Sequence, residues 1–130
     1  MAFRFLIVDD SPAMRTVVHR VLTMTGIPMA GCWQASNGQE ALDLLKGRQV
    51  DVILTDINMP TMDGEQFVAK LQTDDALRSI PVLVVSSAQT ELRAQRLLAL
   101  GAKGFVKKPF LPETLRERLL EVLGVSHAGQ

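Results

Sequence analysis

The chain has 130 residues, 47% hydrophobic and 22% charged, which suits one domain with its own core. Its 14 Lys and Arg cancel its 14 Asp and Glu, so it lacks the basic excess that marks a general nucleic-acid binder. Its single cysteine, Cys32, excludes an internal disulfide and reads as a small buried side chain, and two scattered histidines offer no zinc spacing.

Phe3–Val8 opens the chain as a continuous apolar run, read as a strand. Its core, Phe5 to Val8, is too short for a signal peptide or a membrane span and leads straight into Asp9 and Asp10. The expectation is a soluble cytoplasmic protein without membrane insertion. Ser11-Pro12 then predicts an N-cap followed by Pro at the first helical position. Met14, Val17, Val18, Val21 and Leu22 form one apolar stripe on that helix, and Gly26 stops it. Ala30–Gln34 is the second expected strand. Asn37-Gly38-Gln39-Glu40 resembles a capping box for helix two, which carries Ala41, Leu42 and Leu45.

Val50–Leu54 is the third expected strand. Helix three starts after Asp63-Gly64 and buries Phe67, Val68 and Leu71. Val82–Val85 is strand four, and helix four runs from about Thr90 to Leu100 and stops at Gly101. Lys103–Val106 is strand five. Helix five starts near Pro112 with Leu115, Leu119, Val122 and Leu123 inward, and ends at Gly124. Its start, Leu111-Pro112-Glu113, lacks a capping Ser, Thr or Asp. Strand and helix alternate five times, which predicts an α/β domain with a parallel sheet over residues 1–125 and a short, frayed polar tail over 126–130. Periodicity does not fix the strand order.

In open α/β sheets, sites form beyond the carboxyl ends of the strands. Here those ends carry Asp9 and Asp10, Asp56, Ser86 and Ser87, and Lys107 and Lys108. Three carboxylates at one edge repel one another unless a cation joins them, and hard oxygen ligands suit Mg²⁺. Acids, metal, a hydroxyl and a lysine around one central carboxylate make a site for receiving a phosphoryl group.

The stretches "FLIVDDSPAMR", "LTDINMPTMDG", "IPVLVVSSA" and "GAKGFVKKPF" stand in order over nearly the whole chain. With them the sequence resembles a response-regulator receiver domain of bacterial two-component signalling, of the single-domain chemotaxis type. The resemblance implies a doubly wound, flavodoxin-like five-stranded parallel sheet of order 2-1-3-4-5 with five helices. It also implies residue roles. Asp56 is the phosphoacceptor. Asp9, Asp10, Asp56 and the backbone carbonyl of Asn58 hold Mg²⁺. Ser86 supplies the hydroxyl that bonds the phosphoryl group, Lys108 is the lysine before Pro109, and Phe105 holds the switch-aromatic position. Asn58 and Ala88 flank the acyl phosphate and tune its lifetime.

Two family positions differ here: Ser86 stands where threonine is commoner, and Phe105 replaces a tyrosine and so lacks a phenolic hydroxyl. Lys107 and Ser87 read as neighbours of the functional residues, Phe105 also as plain core, Trp33 as a filler, and Met14, Met24, Met29, Met59 and Met62 as packing or loop cover.

The partners implied are a sensor histidine kinase or phosphotransfer protein and a downstream protein target. No direct nucleic-acid contact is implied, and the chain is expected as a monomer or as a dimer on activation. As a signalling protein it catalyses only its own phosphorylation and dephosphorylation. Output is expected through the face of helix four, strand five and helix five, with Arg93, Arg96, Lys103 and Lys107 exposed around Leu92 and Ala99. Alternatives are a phosphorelay shuttle or a receiver cut from a longer regulator or hybrid kinase. A Mg²⁺-dependent aspartyl-phosphate phosphatase would carry a second Asp where Asn58 stands. A flavodoxin-like carrier would need a phosphate loop where "DDSP" stands, and a pseudo-receiver would lack an acid or the lysine.

Overall fold

The computed structural model describes residues 2–124, so the tail expected at 126–130 lies outside the described residues. Five strands, β1 (Phe3–Val8), β2 (Met29–Ala35), β3 (Val52–Thr55), β4 (Val82–Ser86) and β5 (Gly104–Lys107), alternate with helices α1 (Pro12–Met24), α2 (Gly38–Leu45), α3 (Gly64–Gln72), α4 (Glu91–Leu100) and α5 (Pro112–Leu123). A single 3₁₀ turn, Ala88–Thr90, precedes α4. Every strand pair is parallel, and the order is β2-β1-β3-β4-β5.

Alternation along the strands divides the core in two. Leu6, Val8, Ile53, Val82 and Val84 pack with Ala41, Leu45, Phe67, Val68, Leu71, Ala94 and Leu97 from α2, α3 and α4. Phe5, Ile7, Val52, Leu54, Leu83, Val85 and Val106 pack with Val18 and Leu22 of α1 and Leu115, Leu119 and Leu120 of α5. The central strands β3 and β4 are buried along their whole length, as strands covered on both faces must be.

Most helix starts follow the local chemistry. Ser11 Oγ accepts the Met14 amide, with Pro12 at the first helical position. Asp63 and Gln66 form a reciprocal capping box at α3. At α2 only half of the expected box forms. Asn37 accepts the Glu40 amide, but the Glu40 carboxylate turns back to the amide and hydroxyl of Ser36, one residue before the cap. The α5 start has no side-chain cap, as expected.

Four further expectations are corrected. Val17 is 46% exposed, because α1 has only one sheet face to cover, and the buried stripe narrows to Val18 and Leu22. On α5 the buried third position is Leu120; Val122 and Leu123 are only partly covered. Strand three begins at Val52, since the Asp51 carboxylate accepts the Arg4 amide at 2.6 Å and ends the regular pairing. Cys32 is half-buried on the edge strand β2, with burial pushing its thiol pKa up to about 11. Trp33, also half-buried, lies 5.9 Å from the Arg48 guanidinium.

Candidate functional site

The carboxyl ends of β1 and β3 lie side by side, with Val8 opposite Thr55. The Asp56 amide continues that ladder by donating to the Val8 carbonyl at 2.8 Å. Asp9, Asp10 and Asp56 therefore meet, with one carboxylate oxygen from each lying within 4.8 Å of the others. Asp9 is 3% exposed and Asp10 is exposed. Asp9 Oδ1 accepts the Ser11 amide at 2.9 Å, and the Asp9 carbonyl accepts Arg15 Nη1 at 2.6 Å.

Lys108 reaches the same point from β5. Its amide donates to the Ser86 carbonyl at 2.7 Å, and its peptide bond to Pro109 is cis. Its Nζ stands 3.7 Å from Asp56 Oδ1 and 3.9 Å from Asp9 Oδ2. Lys107, as expected, is the exposed neighbour and pairs with Glu91 at 3.5 Å.

The electrostatics follow from burial. Burial pushes the Asp9 and Asp56 pKa values above the usual carboxylate range. At Asp9 the Ser11 amide opposes this most, ahead of Lys108, while Asp56 and Asp10 reinforce it. At Asp56 the Ile57 amide and Lys108 oppose it, and Asp10 reinforces it. Three hard oxygen donors in mutual repulsion are a donor set that fits a hard divalent cation such as Mg²⁺.

The β3–α3 loop closes tightly behind Asp56. A Cβ at Gly64 would meet the Asp56 carbonyl oxygen at 2.7 Å and Ile57 Cα at 2.9 Å, so only glycine fits there. Pro60 shapes the same loop, and Thr61 adopts φ +69, a left-handed conformation that a β-branched residue rarely takes. Met59 is buried and Met62 partly so, consistent with loop cover.

Ser86 ends β4 on the face shared with α3 and α4. Its Oγ is fully buried and, among the described residues, has no hydrogen-bond partner. Ser86 thus leaves a buried hydroxyl unpartnered at the end of the strand next to the one that leads to Asp56. Phe105 pairs with Val84 and Lys107 with Ser86, so Ser86 and Phe105 are diagonal neighbours on one face of the sheet. Phe105 is partly buried against the core on that side. Ser87 acts in the turn before α4, where its amide donates to Thr90 Oγ1 at 2.8 Å.

Arg93 corrects an expectation and adds, to the rim of the candidate site, a residue that sequence reasoning missed. It is not an exposed contact of the α4–β5–α5 face. Its guanidinium crosses to the β3–α3 segment, donating to Glu65 Oε1 at 3.0 Å, to Asp63 Oδ2 at 3.4 Å and to Asn58 Oδ1. Arg96 leans the same way, 3.8 Å from Glu65. Arg93, Asn58, Asp10, Met59, Pro60 and Asp63 line a cavity of about 410 Å³ at the mouth of the acidic cluster. Charge spacing along α4 shows only that Arg93 is basic; which neighbour it faces depends on how α4 is rotated against α3.

The response-regulator receiver-domain model matches residues 5–120. The chain belongs to the response-regulator receiver-domain family. Among curated receiver relatives it is similar to the chemotaxis protein CheY homolog of Campylobacter jejuni, 35% identical over 93% of this chain and 92% of the relative. Among solved structures it resembles the chemotaxis response regulator CheY4 of Vibrio cholerae, with a TM-score of 0.80 and 34% identity, covering 94% of this chain and 99% of that one. It also resembles the signal receiver domain of a signal transduction histidine kinase from Syntrophus aciditrophicus, with a TM-score of 0.82 and 31% identity over 97% and 94% of the two chains. Receiver domains of this kind are two-component signalling proteins rather than ordinary enzymes. No helix among the described residues is long and apolar enough to cross a membrane.

Proposed function

We propose that this receiver domain accepts a phosphoryl group on Asp56 from the phosphohistidine of a sensor kinase or phosphotransfer protein, in the cytoplasm, and passes the signal on by protein contact. The observation that carries the reading is Asp56 itself, flanked by Asp9 and Asp10, with Lys108 at 3.7 Å and the orphaned Ser86 hydroxyl at the end of the next strand.

An Asp56 carboxylate oxygen attacks phosphorus, the P–N bond to the donor imidazole breaks, and the imidazole departs and takes up a proton. Lys108 meets the charge on the transferring oxygens, and Ser86 Oγ turns to donate a hydrogen bond to one of them. Asp9, Asp10, Asp56 and the Asn58 carbonyl would hold Mg²⁺, which would neutralise phosphoryl charge and relieve the repulsion among the carboxylates. Drawing Ser86 inward opens space beside Phe105 and couples the site to the face of α4, β5 and α5. There Phe105, Phe110, Leu111 and Val122 line an apolar groove of about 730 Å³, with Lys103, Lys107 and Arg118 also in its wall. This reading assigns residues 1–125 to a receiver that works as a monomer, with dimerisation reserved for the activated state.

Incubation with acetyl phosphate and Mg²⁺ tests the assignment. One acid-stable, base-labile phosphate is expected, lost in Asp56→Asn; full phosphorylation of that variant at another residue would overturn it. A second reading, a relay receiver of the hybrid-kinase kind, is favoured by the similarity to the Syntrophus receiver. It predicts rapid return of the phosphate to a histidine-containing domain, which the first reading does not. A phosphatase reading is disfavoured by Asn58, which cannot act as the general acid that turnover needs.

A further inference from the structure

Arg93 lies outside the acid cluster yet is bonded to its rim from a different helix. Its Nε, Nη1 and Nη2 each reach a separate acceptor, Glu65, Asn58 and Asp63, between 28 and 35 residues away in the chain. The guanidinium has only donors, so the Asn58 amide oxygen must face it. Asp63 and Glu65 hold the guanidinium from the α3 side, so its orientation is fixed before it meets Asn58. Asn58 is exposed, and among the described residues its side chain makes no other hydrogen bond. Without Arg93 nothing in the described structure would hold it.

The place it is held matters. The Asp56 side chain is 15% exposed and that of Asp9 4%, so a phosphoryl group on Asp56 is approached from the solvent side alone. Asp10, Asn58 and Arg93 all border the cavity on that side. That cavity reaches the acid cluster at Asp10, whose carboxylate lies within 4.8 Å of those of Asp9 and Asp56. Water that enters by it can remove the phosphoryl group: its oxygen attacks phosphorus, the bond to the Asp56 oxygen breaks, and free carboxylate, inorganic phosphate and a proton result.

We propose that Arg93 is a positioning residue for the phosphoryl chemistry: by fixing the Asn58 side chain at the α4 edge of the mouth it restricts the approach of water and lengthens the life of the acyl phosphate. The proposal rests on the phosphoacceptor reading of Asp56. Arg93 needs no direct contact with the phosphoryl group, since Asp63 and Glu65 already engage its guanidinium.

The test loads the wild-type chain, Arg93→Ala, Arg93→Lys, Asn58→Ala and the double variant Arg93→Ala/Asn58→Ala with acetyl phosphate and Mg²⁺, removes the donor and follows phosphate release. Losing the hold of one partly exposed charged hydrogen bond bounds the expected acceleration in Arg93→Ala at about two- to fivefold. In the Asn58→Ala background, removing Arg93 should add nothing, because the effect is transmitted through Asn58. Arg93→Lys keeps the charge but cannot reach three acceptors at once, so it should decay like Arg93→Ala. Decay of Arg93→Ala at the wild-type rate overturns the proposal, as does an equal acceleration in both backgrounds or full rescue by lysine. The Asn58 side-chain amide in the unphosphorylated protein gives a second readout: relaxation should report it ordered in wild type and mobile in Arg93→Lys, and equal order in both overturns the proposal. A wild-type chain that takes up no phosphate removes the Asp56 reading and this one together, whereas phosphorylation with unchanged decay removes this one alone.

Discussion

Helices α3 and α4 cover the same face of the sheet and frame the same mouth, but they are held very differently. α3 starts with a reciprocal capping box, enters through a glycine pressed against the Asp56 carbonyl, and buries Gly64, Phe67, Val68 and Leu71. α4 follows a 3₁₀ turn, has no side-chain cap at Thr90, and buries only Ala94 and Leu97. Its first turn is joined to α3 mainly by Arg93 and its carboxylate partners. One wall of the mouth is thus held by a capping box and four buried residues, the other by two buried residues and a few polar contacts at the surface. A phosphoryl group on Asp56 would meet the more deeply packed wall on the first side and the less packed one on the second, where a conformational signal would cost least.

The largest test of this contrast is Phe67→Ala, which removes a fully buried ring from the more deeply packed wall. It should cost about 3–5 kcal/mol in denaturant unfolding. Substituting Leu92, 81% exposed on α4, should stay within about 0.5 kcal/mol. Similar losses at the two positions would mean that α4 is packed as firmly as α3.

Asp63 serves both helices, as the α3 cap and as an Arg93 partner. Asp63→Ala should cost about 1 kcal/mol, while Asp63→Asn, which keeps a capping oxygen, should cost much less. Amide exchange in the first turn of α4 should quicken in both variants if the Arg93 contacts steady that helix, and in neither if they do not.

The floor between the walls responds to pH. Burial raises the pKa of Asp56 in the folded protein above 3.8, so between that value and the folded pKa the native state holds more protons than the unfolded chain. Metal-free stability therefore falls as pH rises through the folded pKa, and the contribution of the protonated form is complete only below 3.8. Asp56→Asn should melt higher than wild type in metal-free buffer at neutral pH, and the gap should close as acid protonates the wild-type carboxylate. A gap independent of pH would place its cause outside the ionisation of Asp56.

The smallest expected change is at Ser86. Replacing an unpartnered buried hydroxyl with a methyl group leaves no acceptor unsatisfied, so Ser86→Ala should leave stability nearly unchanged or slightly raised. It should still take phosphate on Asp56, and lose part of the gain in target binding that phosphorylation brings. A substantial loss of stability instead would mean that Ser86 Oγ has a partner in solution.

Much of this was legible in the chain alone, because it depends on neighbours in sequence. Apolar runs ending in acids, Ser11-Pro12, Asp63-Gly64 and the uncapped start at Leu111 each report local backbone chemistry, and the elements formed where those signals stand. That the three acids cluster was legible for a related reason, since the carboxyl ends of the strands in an open parallel sheet share one edge. Tertiary structure decided what depends on how elements are turned and paired. It aligned Val8 with Thr55, which brings the three carboxylates to one point. It left Val17 outside the core and turned Glu40 past its cap to Ser36. It also rotated α4 so that Arg93 faces Asn58, Asp63 and Glu65 rather than solvent. A sequence carries the charge of a side chain, but the partner of that charge is chosen by the packing angle between helices, and that angle is set by contacts spread along the whole chain.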